Sequence, residues 1–447
     1  MIKYKNLGER LEELGVHFPS PRKKSKTLHE MEQDSYKSIV SEDAPSIYLK
    51  AKGISNVGNS CYMGSALQLL LSSHGIISVF GGSDTLKMHL ESSTNHPFES
   101  TCKICQLAKI TAGLCTDSNA RHLSPYFFKE AWCKDTIFET TEQQDVDEFL
   151  CFLLENLSQL EKSTPLIPSS HFRSHFEICV LHTAQCTSCN HITFREEWQW
   201  TLHLSLPQHV FDQEISEESS PASVRIQECL DATFVPTTEQ LRCPSCESIQ
   251  DMHQKKSILQ FPQCLFAYVQ KYYWDSKSMC IQKAKVDIHC DSLLDDSITL
   301  FDKLKTASVL SESELACFRS NKLAKYHAQQ EKHQQALARL RTQDHSIERI
   351  DDALARFDTD AAKALVYLDE HPAEPASFTL NTTSLAASTT VAYKPFGYVV
   401  HYGSNAYSGH YVAYRRSEEG WLELNDEDVT IQSHFHMDKA CLYAFIR

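Results

Sequence analysis

The chain has 447 residues, of which 42% are hydrophobic and 23% are charged, and its formal net charge is −15. These proportions are typical of a folded protein and argue against wholesale disorder, and the length allows two or three domains or one large domain with insertions. The acidic balance argues against general binding to nucleic acid, because the chain has no excess of cations to neutralise phosphates.

Residues 1–50 predict a polar helical extension without a targeting or membrane segment. The first residues, MIKYKNLGERLEEL, are charged throughout and contain no apolar core of signal-peptide length. No apolar run in the chain approaches the ~18 residues of a membrane span. We therefore predict a cytosolic or nuclear protein with no membrane partner, in which the 17 cysteines are reduced thiols, metal ligands or a nucleophile.

The segment GISNVGNSCYMGSALQLL predicts a cysteine at the start of a helix. Asn59 and Ser60 are favourable N-cap residues, and Leu67 and Leu70 give the following helix an apolar face. Cys61 would then lie in the first turn, where unpaired N–H groups and the helix dipole lower a thiol pKa. A buried structural cysteine is the alternative interpretation, and position alone does not decide between the two.

Residues 140–160 predict an amphipathic helix with an acidic start. Apolar residues recur at helical spacing from Val146 to Leu157, and Thr140 with Gln143, or Thr141 with Gln144, forms a candidate capping box. Three acidic side chains cluster in its first turns: Asp145, Asp147 and Glu148. Acidic residues at this place complement the helix dipole, whatever else they do.

Two CxxC pairs predict a metal site with four thiolate ligands. They are Cys186 with Cys189 and Cys243 with Cys246. Strand-like sequence flanks each pair, and four thiolates complete a closed tetrahedral zinc site that leaves no position for a catalytic water. We predict one structural zinc per chain and no catalytic cofactor. A third pair, Cys102 and Cys105, has no matching partner pair, and we interpret it as buried cysteines.

Residues 334–371 predict a small helical insertion between strand-rich segments. The sequence ALARLRTQDHSIERIDDALARFDTDAAKALVYLDEH has the apolar spacing of three short helices. It resembles a ubiquitin-associated (UBA) domain, best in its last two helices, although Arg-Thr-Gln-Asp-His replaces the usual Met-Gly-Phe loop. A helical spacer is the alternative interpretation. Helices, strands, inserted helices and further strands together predict an α+β fold.

The segments HYGSNAYSGHYVAYRR and WLELNDEDV supply partners for a thiol nucleophile. His410 begins a predicted strand after a glycine-containing loop, and Asn425 and Asp426 end the next strand. Adjacent antiparallel strands bring such side chains together, so an imidazole base is paired with an Asn or Asp that orients it. Asn56, ahead of Cys61, is a candidate amide donor to a developing oxyanion.

Together these segments resemble the ubiquitin-specific proteases. GISNVGNSCYMGSALQLL is similar to the cysteine box of that family, QQDVDEFL to its glutamine-rich box, and VVHYGSNAYSGHYVAY with WLELND to its histidine box. The resemblance runs from Gly53 to the C-terminus and is greatest to the isopeptidase T branch. Gly64 departs from the usual Asn of the family, and no cysteine precedes Cys61, so the N-terminal zinc module of isopeptidase T is not expected.

The resemblance implies a papain-like cysteine protease core with thumb, palm and fingers in residues 51–447. The zinc site would clip the fingers together within residues 186–246. Carried over by position, the catalytic residues are Cys61 as nucleophile, His410 as base, Asn425 as the orienting residue and Asn56 as oxyanion donor. The predicted substrate-binding residues are Gln143, Asp145 and Glu148, of which the two acids would hold the arginines of the C-terminal tail of ubiquitin.

The resemblance therefore predicts an enzyme that hydrolyses the peptide or isopeptide bond after the C-terminal glycine of ubiquitin through a thioester. Its partners would be ubiquitin, polyubiquitin or ubiquitinated proteins. A catalytically weak or inactive ubiquitin-binding scaffold is the first alternative. A zinc-ribbon binder of nucleic acid is the second, and the net charge of −15 argues against it.

Overall fold

The structure is a computed structural model, and it describes most of the chain between residues 49 and 447. The described residues are 49–81, 101–115, 122–163, 167, 171–211, 221–275, 279–289, 317–318, 320–321, 324, 393–403, 408–417, 420–432 and 437–447. Nearly all of the predicted N-terminal extension and the whole of the UBA-like insertion at 334–371 lie outside the described residues.

The described part of the chain contains both helices and strands. The helices are α1 (Cys61–Leu70), α2 (His74–Phe80), α3 (Lys103–Cys115), α4 (Tyr126–Cys133), α5 (Val146–Ser163), α6 (His171–Phe176) and α7 (Ile226–Thr233). The strands are β1 (Gly53–Ile54), β2 (His122–Leu123), β3 (Ile178–Cys186), β4 (Ile192–Gln199), β5 (Thr201–Leu204), β6 (Ala222–Arg225), β7 (Thr237–Arg242), β8 (Ile249–Gln260), β9 (Cys264–Val269), β10 (Tyr272–Asp275), β11 (Cys280–Lys283), β12 (Val286–His289), β13 (Lys394–Tyr402), β14 (His410–Ser417), β15 (Gly420–Asn425), β16 (Asp428–Gln432) and β17 (Ala440–Ile446).

The chain divides into two compact units. The first unit takes Met1–His175, Tyr272–Lys283 and Phe396–Ala444, and the second takes Phe176–Lys271, Ala284–Pro395 and Phe445–Arg447. In the first unit, strands lie in the order β16-β15-β14-β13-β17, and β10 and β11 form an antiparallel hairpin. In the second unit, β4-β3-β8-β7 form an antiparallel sheet, and the pairs β5/β9 and β6/β12 are parallel.

Helix α1 is the buried centre of the first unit. It packs against β14 and α5, and its apolar residues Leu67 and Leu70 are fully buried, as their spacing predicts; Met63 is fully buried as well. The sheet comes close to the helix at Gly397, where an added Cβ would lie 2.4 Å from Cδ2 of Leu69. A side chain at position 397 would therefore push α1 away from the sheet that carries His410.

The helix predicted at residues 140–160 begins later than expected. The structure has a 3₁₀ turn at Ile137–Glu139 and starts α5 at Val146. Neither predicted capping box forms, because α5 starts after Gln143 and Gln144 and its first N–H groups donate to Oδ1 of Asp145. Within the described ranges, no single helix has the length and hydropathy of a membrane span; α1 and α2 meet that criterion only as a pair bent by 86°.

Candidate active site and metal site

Cys61 is the first residue of α1, and it is 4% exposed. The backbone N–H of Tyr411, the residue after His410, donates to its sulfur. The residue before it, Ser60, takes the predicted N-cap position, but its hydroxyl accepts the N–H of Val57 at 2.8 Å and does not cap the helix. The start of α1 is thus fixed against the start of β14.

Burial dominates the electrostatics of this thiol. It raises the pKa of Cys61 above its ordinary value, while the N–H of Tyr411 and the first-turn N–H groups lower it by less. The carboxylate of Asp426 raises the pKa further. The expectation that the helix N-terminus would give a net lowering is wrong, because desolvation of the anion outweighs the N–H groups. A thiolate at neutral pH therefore requires a base that takes the proton.

His410 is the candidate for such a base. Its Nε2 lies 2.7 Å from Oδ1 of Asn425, whereas the nearest carboxylate oxygen of Asp426 is 3.9 Å away. An amide oxygen only accepts, so Nε2 carries the hydrogen of the neutral ring, and Nδ1 keeps its lone pair. Of the two orienting candidates left open by the sequence, Asn425 makes the hydrogen bond.

Asn56 links the loop before Cys61 to the turn after Asn425. Its Oδ1 accepts the backbone N–H of Ser60 at 3.0 Å, and its Nδ2 donates to the carboxylate of Asp426 at 3.1 Å. Since an amide nitrogen carries two hydrogens, this bond leaves the second for another acceptor. Asp426, whose backbone is left-handed with φ of 53°, therefore binds the candidate oxyanion donor Asn56 and not the imidazole of His410.

The acidic residues of α5 have divided roles. Oδ1 of Asp145 accepts the N–H groups of Asp147 at 2.7 Å and Glu148 at 3.2 Å, so Asp145 caps the helix. Asp147 is buried, and Glu148 is exposed. Partial desolvation, followed by the charges of Asp145 and Asp147, raises the pKa of Glu148. A cationic partner would relieve this repulsion, but contact of Asp145 and Glu148 with substrate stays a prediction.

Gln143, predicted to bind substrate, lies against a histidine that the sequence analysis missed. Its Nε2 is 3.2 Å from Nε2 of His401. His401 is 6% exposed, and burial, with the charges of Lys283 and His410, lowers its pKa to about 4. The signal in the sequence is a second histidine, nine residues before His410, within the buried strand β13.

The four predicted metal ligands converge in the second unit. Their sulfurs lie within 4.8 Å of one another, and within the described residues no other group of three or more such side chains converges in this way. The Sγ–Sγ distance is 3.9 Å between Cys186 and Cys246 and 3.6 Å between Cys189 and Cys243. Four sulfurs at ~2.3 Å from one zinc are about 3.8 Å apart, so the set fits a tetrahedral ion.

The backbone repeats the same turn at both cysteine pairs. The N–H of Cys186 donates to the carbonyl of His191 at 2.9 Å, and that of Cys243 donates to Ser248 at 3.0 Å. The residue after the second cysteine of each pair, Asn190 and Glu247, is left-handed. The pairing of β3 with β8 brings the two turns side by side. By contrast, Cys102 and Cys105 are half-buried and buried at the start of α3, outside any such group.

Comparisons with known proteins identify the family. The family model described as "Ubiquitin carboxyl-terminal hydrolase" matches residues 52–444. Ubiquitin carboxyl-terminal hydrolase 14 of Schizosaccharomyces pombe is 25% identical over 350 residues, and that of Arabidopsis thaliana is 23% identical over 554 residues. The matches cover 72% and 99% of this chain, but 41% and 68% of those proteins.

A solved structure supports the fold. The structure of the "SAGA Ubp8/Sgf11/Sus1/Sgf73 DUB module bound to ubiquitin aldehyde" matches 94% of this chain and 74% of that one, with a TM-score of 0.57 and 15% identity. At that identity, the likeness shows the fold alone. The predicted α+β fold and the predicted family are confirmed. The chain belongs to the ubiquitin carboxyl-terminal hydrolase family.

Proposed function

We propose that this chain hydrolyses the bond that follows the C-terminal glycine of ubiquitin, with Cys61 as nucleophile. The observation that carries the proposal is the hydrogen bond of 2.7 Å between His410 and Asn425, next to the N–H of Tyr411 that binds the Cys61 sulfur. Family membership supports ubiquitin as the substrate, since the relatives are named for that activity.

In the first half of the reaction, Nδ1 of His410 takes the thiol proton, and the sulfur attacks the carbonyl carbon of the terminal glycine. Because burial raises the pKa of Cys61, this transfer occurs as the nucleophile is used. The negative oxygen that forms accepts the free N–H of the Asn56 amide and a first-turn N–H of α1. The C–N bond then breaks, and the leaving amine takes the proton from His410.

In the second half, water hydrolyses the thioester. His410 removes a proton from water, the hydroxide adds to the acyl carbon, and the C–S bond breaks to release the ubiquitin carboxylate. The departing sulfur receives the proton from His410, which restores the resting pair. Asn425 supports both halves by keeping the hydrogen of the neutral ring on Nε2.

The acidic residues at the start of α5 favour binding of a positively charged segment of the substrate. Asp145, Asp147 and Glu148 lie within four positions of one another, and partial desolvation, followed by the charges of the two aspartates, raises the pKa of Glu148. Guanidinium groups would relieve the repulsion among these charges and make bidentate contacts with carboxylates. Two arginines in the tail of ubiquitin would fit Asp145 and Glu148. Gln143 completes the proposed substrate-binding set: one N–H of its amide faces His401, and the same nitrogen carries a second N–H.

A single zinc ion would be held by Cys186, Cys189, Cys243 and Cys246. Their spacing fits four-sulfur coordination, which leaves no position for water, so the ion would be structural. It would join the turn after β3 to the turn after β7. A cytosolic or nuclear location remains a prediction.

The direct test is hydrolysis of ubiquitin that carries a fluorogenic amide at its C-terminus. Wild-type protein should release the fluorophore, Cys61→Ser should not, and Cys280→Ser should match the wild type because its thiol is exposed on β11. No hydrolysis by zinc-loaded wild-type protein would contradict the proposal.

One observation favours the inactive scaffold: the pKa of the buried Cys61 thiol is raised and not lowered. A scaffold would bind ubiquitin and leave the amide intact. Binding measured by calorimetry, with no turnover under the same conditions, would support this second function.

A further inference from the structure

The environment of His401 is more elaborate than that of a buried core histidine. Its Nε2 lies 3.2 Å from the amide of Gln143, and its Nδ1 lies 3.0 Å from the hydroxyl of Tyr272 and 3.2 Å from Nζ of Lys283. Gln143 precedes α5, whereas Tyr272 and Lys283 are the two ends of the β10–β11 hairpin. Three separate segments of the first unit therefore meet at one imidazole.

The donors determine the state of the ring. The ammonium of Lys283 only donates, and it also binds the carbonyls of His401 at 2.9 Å and Gly403 at 2.8 Å. The amide nitrogen of Gln143 faces Nε2 and only donates, so Nε2 accepts. Nδ1 then carries the hydrogen of the neutral ring toward the hydroxyl of Tyr272, while Lys283 directs its hydrogens to the two carbonyls. A second proton would face the Lys283 charge in a buried site, so the ring stays neutral at physiological pH.

His401 also supports the residues on either side of the candidate base. An added Cβ on Gly409 would lie 2.3 Å from Nε2 of His401, so the ring fills the space beneath the glycine that precedes His410. Across the sheet, His401 pairs with Tyr411, and their ring centroids are 4.5 Å apart. Tyr411 donates its N–H to the Cys61 sulfur.

We propose that His401 is a positioning residue: held by Gln143, Tyr272 and Lys283, it fixes Gly409 and Tyr411, and so sets His410 against Cys61. This inference rests on the proposed function and deepens it. A histidine that only filled the core would need neither three polar partners nor contact with both neighbours of His410. His401 does not touch substrate in this account, and it exchanges no proton during the reaction.

The test compares His401→Ala, His401→Gln and Tyr272→Phe, with His203→Asn, an exposed histidine on β5, as the control. Each variant is assayed with ubiquitin carrying a fluorogenic C-terminal amide, and its thermal unfolding is recorded. His401→Ala should lower kcat by about 10²-fold with little change in KM, because a misplaced base slows chemistry and not binding. His401→Gln, which keeps a neutral hydrogen-bonding side chain, should recover part of the loss.

The second readout needs no ubiquitin. Alkylation of Cys61 by chloroacetamide at pH 7 should slow in His401→Ala and stay at the wild-type rate in His203→Asn. Unchanged kcat and alkylation in a folded His401→Ala would overturn the inference, and so would a loss confined to KM. If His401→Ala does not fold, Tyr272→Phe decides: we expect kcat to fall by about 3- to 10-fold for one lost hydrogen bond, and no change would refute the role.

Failure of the proposed function gives a different result. Wild-type protein without turnover would refute the function, and the inference with it. An active wild type with fully active His401→Ala and Tyr272→Phe variants would refute the inference alone.

Discussion

The two units use cysteine in opposite ways. In the first unit, the buried thiol of Cys61 lies beside the backbone N–H of Tyr411, on the strand that begins with His410. In the second unit, Cys186, Cys189, Cys243 and Cys246 gather on two matching turns. Isolation in a desolvated site keeps a thiol protonated until a base acts, whereas four adjacent sulfurs repel one another as anions unless a cation joins them.

The two sites also differ in how much of their geometry is specified by neighbouring residues in the sequence. A CxxC pair carries its geometry within one turn, so spacing alone identifies the metal ligands. The active-site group joins Cys61 to residues almost 350 positions later, and only the sheet brings them together. The comparison yields four predictions, from the largest expected effect to the smallest.

Removal of the metal should have the largest effect. Structural zinc contributes about 10–16 kcal/mol of apparent binding energy in small peptides. We expect one zinc per chain in the wild type and none in Cys243→Ser, together with faster amide exchange at the turns after β3 and β7. Elemental analysis and hydrogen exchange measure both, with Cys280→Ser as the control. If elemental analysis finds no zinc in freshly purified wild-type protein, the proposed zinc site is wrong.

Loss of the orienting amide should follow. Asn425→Ala removes the 2.7 Å hydrogen bond to His410 and should lower kcat/KM by about 10²- to 10⁴-fold. Asp426→Ala should cost less, because this carboxylate lies 3.9 Å from the imidazole. Equal losses would mean that Asp426 acts through Asn56, and the reverse ranking would exclude Asn425 as the orienting residue.

The raised pKa of Cys61 predicts a pH dependence. A raised thiol pKa leaves the sulfur protonated at neutral pH, so without a base its reactivity should grow only as pH rises through that pKa. In His410→Ala, alkylation by iodoacetamide should therefore increase continuously above pH 8. The wild type should already react at pH 7. Superimposable profiles between pH 5 and 10 would show that His410 does not serve the thiol.

The smallest effect concerns Gly64, where the family usually has Asn. An added Cβ would lie 3.8 Å from the side chain of Ile54, an ordinary contact, and glycine disfavours a helix. Gly64→Ala should stabilise the protein by about 0.5–1 kcal/mol in urea unfolding. Gly397→Ala is the matched opposite, because its Cβ would meet Leu69, and it should destabilise. If Gly64→Ala destabilises the protein, the close packing of Gly64 against Ile54 requires a residue without a side chain.

The sequence predicted much of the arrangement and missed what depends on packing. The α+β fold, the family and the convergence of the four metal ligands follow from motifs and spacing. The pKa of Cys61 was predicted with the wrong sign, because burial cannot be read from a helix start. His401 was missed since its partners, Tyr272 and Lys283, are over a hundred residues away and carry no motif.

The central claim is that Cys61 is the nucleophile toward ubiquitin, and one measurement tests it most directly. Wild-type protein is reacted with ubiquitin bearing a C-terminal electrophile, and the adduct is located by peptide mass spectrometry. We predict a single adduct on Cys61 among the 17 cysteines, absent in Cys61→Ser and retained in Cys280→Ser. An adduct on another cysteine, or undiminished labelling of Cys61→Ser, would contradict the account.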